Sequence, residues 1–195
     1  MTAKQRFGAN KYTTLQACGD RKMSELQSAS HSNSGVDKTL FLHAMSILPG
    51  PVSLVTTGEG ENRMGLTVSA LCSLSAEPPS LIVCVNKNAS AHDDLLSRGT
   101  FGVNVLKPDQ ADFATLFTQR GVDRFASSEW IQRVTGAPLL GSALIAFDCR
   151  LERSIDGFSH TILIGSIADI VVTPEAPSEC LVWHQRRYRT CAEIA

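Results

Sequence analysis

Apolar positions along the chain fall into short alternating runs, most separated by turn residues. Residues 52–57 read as a strand, 58–62 as a turn, and 63–75 as a second strand that Glu77-Pro78-Pro79 breaks. Leu81-Ile82-Val83-Cys84-Val85 is a continuous apolar run, the signature of a strand buried on both faces. Strands are also predicted over 101–106, 143–152 (Ala143, Ile145, Phe147, Cys149 and Leu151 on one side), 161–172 and 181–183. Asp156-Gly157 signals a hairpin, and Gly165 a bulge or a close approach. Helical spacing is rarer. Phe41, Ala44, Met45 and Leu48 recur behind the cap Asp37, and Pro49 ends that helix. Ser90 caps a second helix that Gly99 closes, and a third runs over about 109–118. Strands outnumber helices, and turns join most of them. An antiparallel barrel with peripheral helices is therefore expected over a doubly wound sheet.

The first 36 residues differ. They are polar, rich in Ser, Gln, Asn and Lys, and 28–35 reads as a flexible linker. A partly flexible extension with a short helix near 23–27 is expected there, ahead of one domain over 37–195. The chain's 195 residues suit one core. A net charge of -1 removes the electrostatic footprint of a nucleic-acid binder. The charge-free stretch 41–58 is broken by Pro49-Gly50-Pro51, so no membrane span is expected. No leader pattern is apparent, and the cytoplasm is the expected address. The six cysteines show no C-x-x-C pair or zinc spacing, so neither a metal site nor a disulfide framework is expected.

Four groups of residues carry candidate chemistry. Thr67 and Ser69, with the backbone around Val68 and Ala70, would present hydroxyls and free N–H groups to the edge of a flat heterocycle. They read equally as a strand with a polar outer face. Asn86, Lys87 and Ser90, with His92 in the following turn, would place a helix N-terminus and a cation at a phosphate. A capped helix with a solvated lysine has the same pattern. His160, beside a turn, would stack on or donate to a nicotinamide. Arg186, Arg187 and Arg189 around Tyr188, and Arg120 with Arg124 in the polar loop 119–128, would clamp a phosphate or form a solvated edge.

The ordered set Gly65-x-Thr67-x-Ser69-Ala70, Ser75-x-Glu77-Pro78-Pro79, Asn86-Lys87-x-x-Ser90, Phe101-x-Val103-Asn104-Val105-Leu106, Arg124-Phe125, Gly157-x-x-His160-Thr161, Gly165 resembles the flavin reductase family. That family is the small component of two-component flavin monooxygenases, and the resemblance covers about 37–188. It implies a mainly β fold: a six-stranded antiparallel Greek-key split barrel that forms a homodimer, with FMN or FAD near the dimer interface. By position, Thr67, Val68 and Ser69 would hold the isoalloxazine and ribityl region. Asn86, Lys87 and Ser90 would lie along the phosphate. His160 would contact the nicotinamide of NADH or NADPH, and Arg124 would sit in a loop closing over the site. Hydride transfer to flavin would supply a partner oxygenase. Some relatives instead reduce a specific acceptor, such as the cobalt of a corrin ring. A flavin- or haem-binding module without turnover is the reading from another class. The chain departs from the family pattern at Ser159, where Asp is usual, at Arg186-Arg187, where glycine is usual, and at His92, where a small hydroxyl residue is common.

Overall fold

The computed structural model describes residues 35–126, 129–174 and 179–191. The expected N-terminal extension and its short helix lie outside these residues, apart from Gly35 and Val36. The chain divides after Asp37, and the architecture below is that of the unit Lys38–Ala195.

Among the described residues the fold is mainly β with peripheral helices. Seven strands form one antiparallel sheet, in the order β3 (Met64–Val68), β2 (Ser53–Thr57), β6 (Thr100–Val105), β9 (Ile145–Gly157), β10 (His160–Val172), β5 (Pro79–Asn86) and β4 (Leu71–Ala76). The expected six strands are thus corrected to seven, and the ladder does not close into a barrel. The single long strand expected over 63–75 is also corrected: the chain leaves β2 after Val68 and joins β5 from Leu71. Crowding at the bend is plain at Gly50, where a Cβ would lie 2.6 Å from Ser69 O. β3 and β4 form opposite edges of the sheet, yet only Ser69 and Ala70 join them. Two residues span no more than about 10 Å between flanking Cα atoms, so the sheet curls until its edges face each other.

β2 is buried along its whole length and β6 nearly so, although both carry polar residues: Ser53, Thr56 and Thr57 in β2, Thr100 and Asn104 in β6. One face of the sheet packs Val55, Val83, Leu95, Phe101 and Leu163; a second cluster joins Leu54, Leu106, Ala114, Phe117 and Leu181. Asn104 is fully buried. Its Nδ2 donates to Leu54 O (3.1 Å) and Thr56 Oγ1 (3.2 Å), and its Oδ1 accepts from Leu140 N–H (2.7 Å), so the amide is satisfied.

The helices are short. α1 (Lys38–Ile47) has no buried residue, so the apolar face predicted from Phe41, Met45 and Leu48 is not inserted into the core. α2 (His92–Arg98) ends at Gly99 with φ 68, the expected left-handed cap. α3 (Ala111–Leu116) follows a 3-10 turn at Pro108–Gln110.

Three short strand pairings complete the unit. β1 (Gly50–Pro51) pairs with β11 (Leu181–His184), β11 pairs with β12 (Arg187–Thr190), and β7 (Trp130–Ile131) pairs with β8 (Leu139–Leu140). The arginine-rich tail is therefore the second strand of a hairpin. Its turn residues Gln185 and Arg186 have φ 51 and 60, the type I′ pattern that glycine fills at lower cost. The β9–β10 turn is at Phe158-Ser159, two residues past the expected Asp156-Gly157; Gly157 instead pairs with His160. Asp156 Oδ1 accepts Phe158 N–H at 3.0 Å and supports that turn.

Gly165 meets both expectations made for it. A register shift lies between Ile164 and Gly165, and a Cβ there would lie 2.5 Å from Phe101 Cζ. Gly165→Ala should lower unfolding stability by about 1–3 kcal/mol through overpacking. Denaturant unfolding checks this, with a midpoint shift at unchanged slope expected; an unchanged midpoint would mean that Phe101 yields freely.

Candidate functional site

A groove along the open edge of β3 is lined by candidate residues from β3, from the end of β5 and from the loops that follow β5 and α3. In an antiparallel ladder, alternate residues turn both backbone groups to the same side. Gly65 O faces away from β2, and Arg124 Nη1 donates to it at 2.8 Å. Thr67, two residues on, directs its own N–H and C=O the same way. Helix α3 approaches this edge closely. Thr67 Oγ1 donates to Ala114 O at 2.7 Å, and the Phe117 ring occupies the space a Cβ on Gly65 would need, 2.7 Å away.

Three connected cavities follow the groove. The first, about 160 Å³, lies between Thr67, Val68 and Ser69 on one side and Trp183 and Tyr188 on the other. Those two rings pack edge to face at 5.1 Å and end the groove with an aromatic wall. The second, about 310 Å³, shares Thr67 and Thr118 with the first and adds Asn86, Asn88, Ser90, Arg120 and Arg124. The third, about 610 Å³, shares Asn88, Ser90, Arg120 and Arg124 and continues to Arg63. The order along the groove is hydroxyls and backbone, then amides, then arginines.

Arg124 fastens the far end. Besides Gly65 O, its Nε donates to Gln119 O at 3.0 Å and its Nη1 to Ser90 Oγ at 3.3 Å. Burial, and then the charge of Arg120, hold its guanidinium below the usual arginine range. Among the described residues neither arginine forms an ion pair. Two cations held close together without an ion-paired carboxylate favour an incoming anion. Ser90 is not the helix cap expected of it: Ala91 holds that place, and the serine side chain lines the groove beside Arg124. The seven-residue α2 also carries Asp93 and Asp94 in its first turn. Its dipole is thus already matched, and the arginines carry the anion site.

Other predicted residues are placed elsewhere. Lys87 pairs with Asp156 at 2.5 Å and lines none of the three cavities. That hydrogen bond, with the one from Phe158 N–H, holds the Asp156 carboxyl below the usual range. His92 is buried, with Nδ1 2.8 Å from Asp93 Oδ1 and Nε2 2.8 Å from Thr161 Oγ1. It clamps α2 to β10 and does not reach the groove. Ala70 O accepts Cys84 N–H and so serves the β4–β5 ladder. His160 is the cross-strand neighbour of Asn86, with Nδ1 2.9 Å from Ser159 Oγ. It stands one strand beyond the cavity wall. Asn88, Thr118 and Trp183 line the groove without having been singled out. Asn88 was within reach, since it lies between Lys87 and Ser90; Trp183 depended on a hairpin that the sequence does not announce.

The set suits a flat ring system carrying a phosphate: edge N–H and C=O groups at Thr67, an aromatic wall, and two unpaired arginines at the other end. Residues 45–192 match the family model described as flavin reductase like domain. The FMN reductase (NADH) RutF of Pseudomonas syringae pv. syringae is 38% identical over 157 residues, 80% of this chain and 87% of that protein. BorF, the flavin reductase component of a bacterial two-component tryptophan halogenase, superposes with a TM-score of 0.72 at 31% identity, over 81% of this chain and 100% of that one. The NADH:FAD oxidoreductase SgcE6 of Streptomyces globisporus, solved with NAD and FAD fragments, gives 0.73 at 30% identity, over 80% and 93% of the two chains.

Arg124→Gln removes the cation that joins loop 119–125 to β3. Limited trypsin digestion should then cut after Arg120 several-fold faster than in the parent chain. An unchanged rate would show that the loop holds without Arg124.

Proposed function

The chain belongs to the flavin reductase-like domain family, and from that membership we propose that it is an NADH-dependent flavin reductase that supplies reduced flavin to an oxygenase partner. The observation that carries this reading is the groove itself. It joins the open edge of β3 to the unpaired pair Arg120 and Arg124 along a path suited to a phosphorylated isoalloxazine. The FMN and NADH named for the RutF relative favour FMN as acceptor and NADH as donor. The flavin, when bound, supplies the hydride-accepting ring, and the nicotinamide is oxidised.

The residues of the chain bind and orient. Thr67 offers backbone N–H and C=O to the polar edge of the ring; its hydroxyl proton is spent on Ala114 O. Val68 and Ser69 continue that wall. Asn86, Asn88 and Ser90 follow the ribityl chain, and Arg120 and Arg124 meet the phosphate. Such fixed donors stabilise charge without reorganising, which is where an enzyme lacking a strong acid or base gains rate. We place His160 against the nicotinamide. Ser159, which stands in place of the family's Asp, orients the imidazole without adding a charge.

We further read the curled, unclosed sheet as the family's Greek-key split barrel over 37–195, working in the cytoplasm where NADH is available. It forms a homodimer through α1. That helix exposes Leu40, Phe41, Met45 and Leu48 and buries nothing in its own protomer. A ten-residue helix is not stable without a surface to pack on.

Anaerobic stopped-flow absorbance with FMN and excess NADH tests the reading. Rapid bleaching of the oxidised flavin band is expected. His160→Asn should lower kcat/KM for NADH at least tenfold, about 1.4 kcal/mol, at unchanged FMN affinity. Flavin that binds but stays oxidised with both NADH and NADPH would leave a binding module. Sedimentation velocity should show a dimer that Phe41→Asp dissociates; a monomeric parent chain would refute the dimer.

A further inference from the structure

The hairpin that gives the groove its aromatic wall carries two thiols at its open end. Its ladder runs from His184↔Arg187 beside the turn to Leu181↔Thr190. One step further along the same register stand Cys180 and Cys191, whose sulfurs are 4.0 Å apart. Residues directly opposite in an antiparallel pair hold their Cα atoms about 4.5–5.5 Å apart, within the span that a disulfide bridges. Thr190 Oγ1 donates to Glu179 Oε2 at 2.7 Å and holds the same end of the hairpin together. Cys72, Cys84 and Cys149, the other described cysteines, make no contact with a second thiol.

The two thiols differ. Cys191 is exposed and Cys180 half-buried. Burial, and then the neighbouring Cys191, push the Cys180 thiol above its usual range, so it keeps its proton. An exposed thiol backed by a protonated one is the arrangement of an attacking and a resolving cysteine. The strand they would fasten is held on one side only, since β12 has β11 as its single neighbour. That pairing keeps Tyr188 against Trp183 at the end of the groove. Alternation along the strands puts Trp183 and Tyr188 on one face and the two cysteines, with Val182 and Arg189, on the other. A bond between the sulfurs would therefore close the hairpin without entering the groove.

We propose that Cys180 and Cys191 form a reversible modification site for hydrogen peroxide, and that their intrachain disulfide pins β12 and the Tyr188 wall. The Cys191 thiolate first attacks the peroxide: an S–O bond forms, the O–O bond breaks, and hydroxide leaves and is protonated to water. Cys180 sulfur then attacks the sulfenic sulfur: the S–S bond forms, the S–O bond breaks, and a second water leaves with the Cys180 proton. Two thiols together lose two electrons, and one peroxide is reduced to two waters. The source of the oxidant rests on the flavin reductase reading, because free reduced flavin that meets oxygen becomes oxidised flavin and hydrogen peroxide. The thiol pair itself does not depend on that reading.

The test treats the reduced full chain with hydrogen peroxide, quenches with an alkylating reagent and maps the peptides by mass spectrometry. A linked Cys180–Cys191 peptide pair is expected, and dithiothreitol should separate it. Cys191→Ser should abolish it, whereas Cys180→Ser should leave a sulfenic acid on Cys191 that dimedone traps. Amide hydrogen exchange at residues 187–190 should slow about tenfold when the parent chain is oxidised, and stay unchanged in Cys191→Ser. No disulfide, a disulfide through another cysteine, or one between two chains overturns the proposal. So does exchange at 187–190 that oxidation alters by less than about twofold. Failure of the reductase reading is seen separately, as FMN that NADH does not bleach in a chain whose disulfide still maps.

Discussion

The strand edge that the sheet leaves unpaired is the constraint on which the site depends. β3 and β4 are opposite edges joined by two residues, so the sheet must curl, and the ladder stops where they meet. An exposed edge normally invites another strand. Here it is covered only in part. Arg124 takes Gly65 O, Thr67 gives its hydroxyl to Ala114 O, and the bare Cα of Gly65 admits the Phe117 ring. These contacts fix the far wall of the groove before any ligand arrives. The remaining backbone groups of the edge stay available for recognition. Preorganisation of this kind reduces the ordering cost of binding.

Charge is distributed along the groove with the same economy. The lysine nearest the groove is held by Asp156, and the first turn of α2 is occupied by Asp93 and Asp94. What remains for an anion is the arginine pair of loop 119–125, with Ser90 Oγ as an added hydroxyl. The guanidinium of Arg124 is pressed by burial and by Arg120, and an anion relieves the second of these stresses. The groove therefore discriminates along its length by the kind of group each section can satisfy.

Much of this was legible in the sequence where a residue's role is local. Apolar alternation located the strands, and Gly99 and Gly165 declared a left-handed cap and a tight contact. Thr67, Ser69, Asn86, Ser90 and Arg124 were picked out and do line the groove. Long-range partners are not legible in this way. The start of α2, and for Lys87 the family resemblance, put Lys87 and His92 among the phosphate candidates. Asp156 and Thr161, 69 residues away from each in turn, take them out of the groove. The run 63–75 keeps strand character throughout, so nothing local marks the change of partner at Ser69-Ala70. The I′ turn at Gln185-Arg186 lacks the glycine or asparagine that announces such turns, which hid the hairpin bearing Trp183 and Tyr188.

The proposed reductase activity requires flavin in the groove between the β3 edge and the arginine pair. Backbone amide chemical shifts of the isotope-labelled chain, followed during titration with FMN, address it directly. The largest changes are expected at residues 65–69, 86–90 and 118–124. Changes confined to other surfaces, such as 94–98 or 150–154, would contradict it.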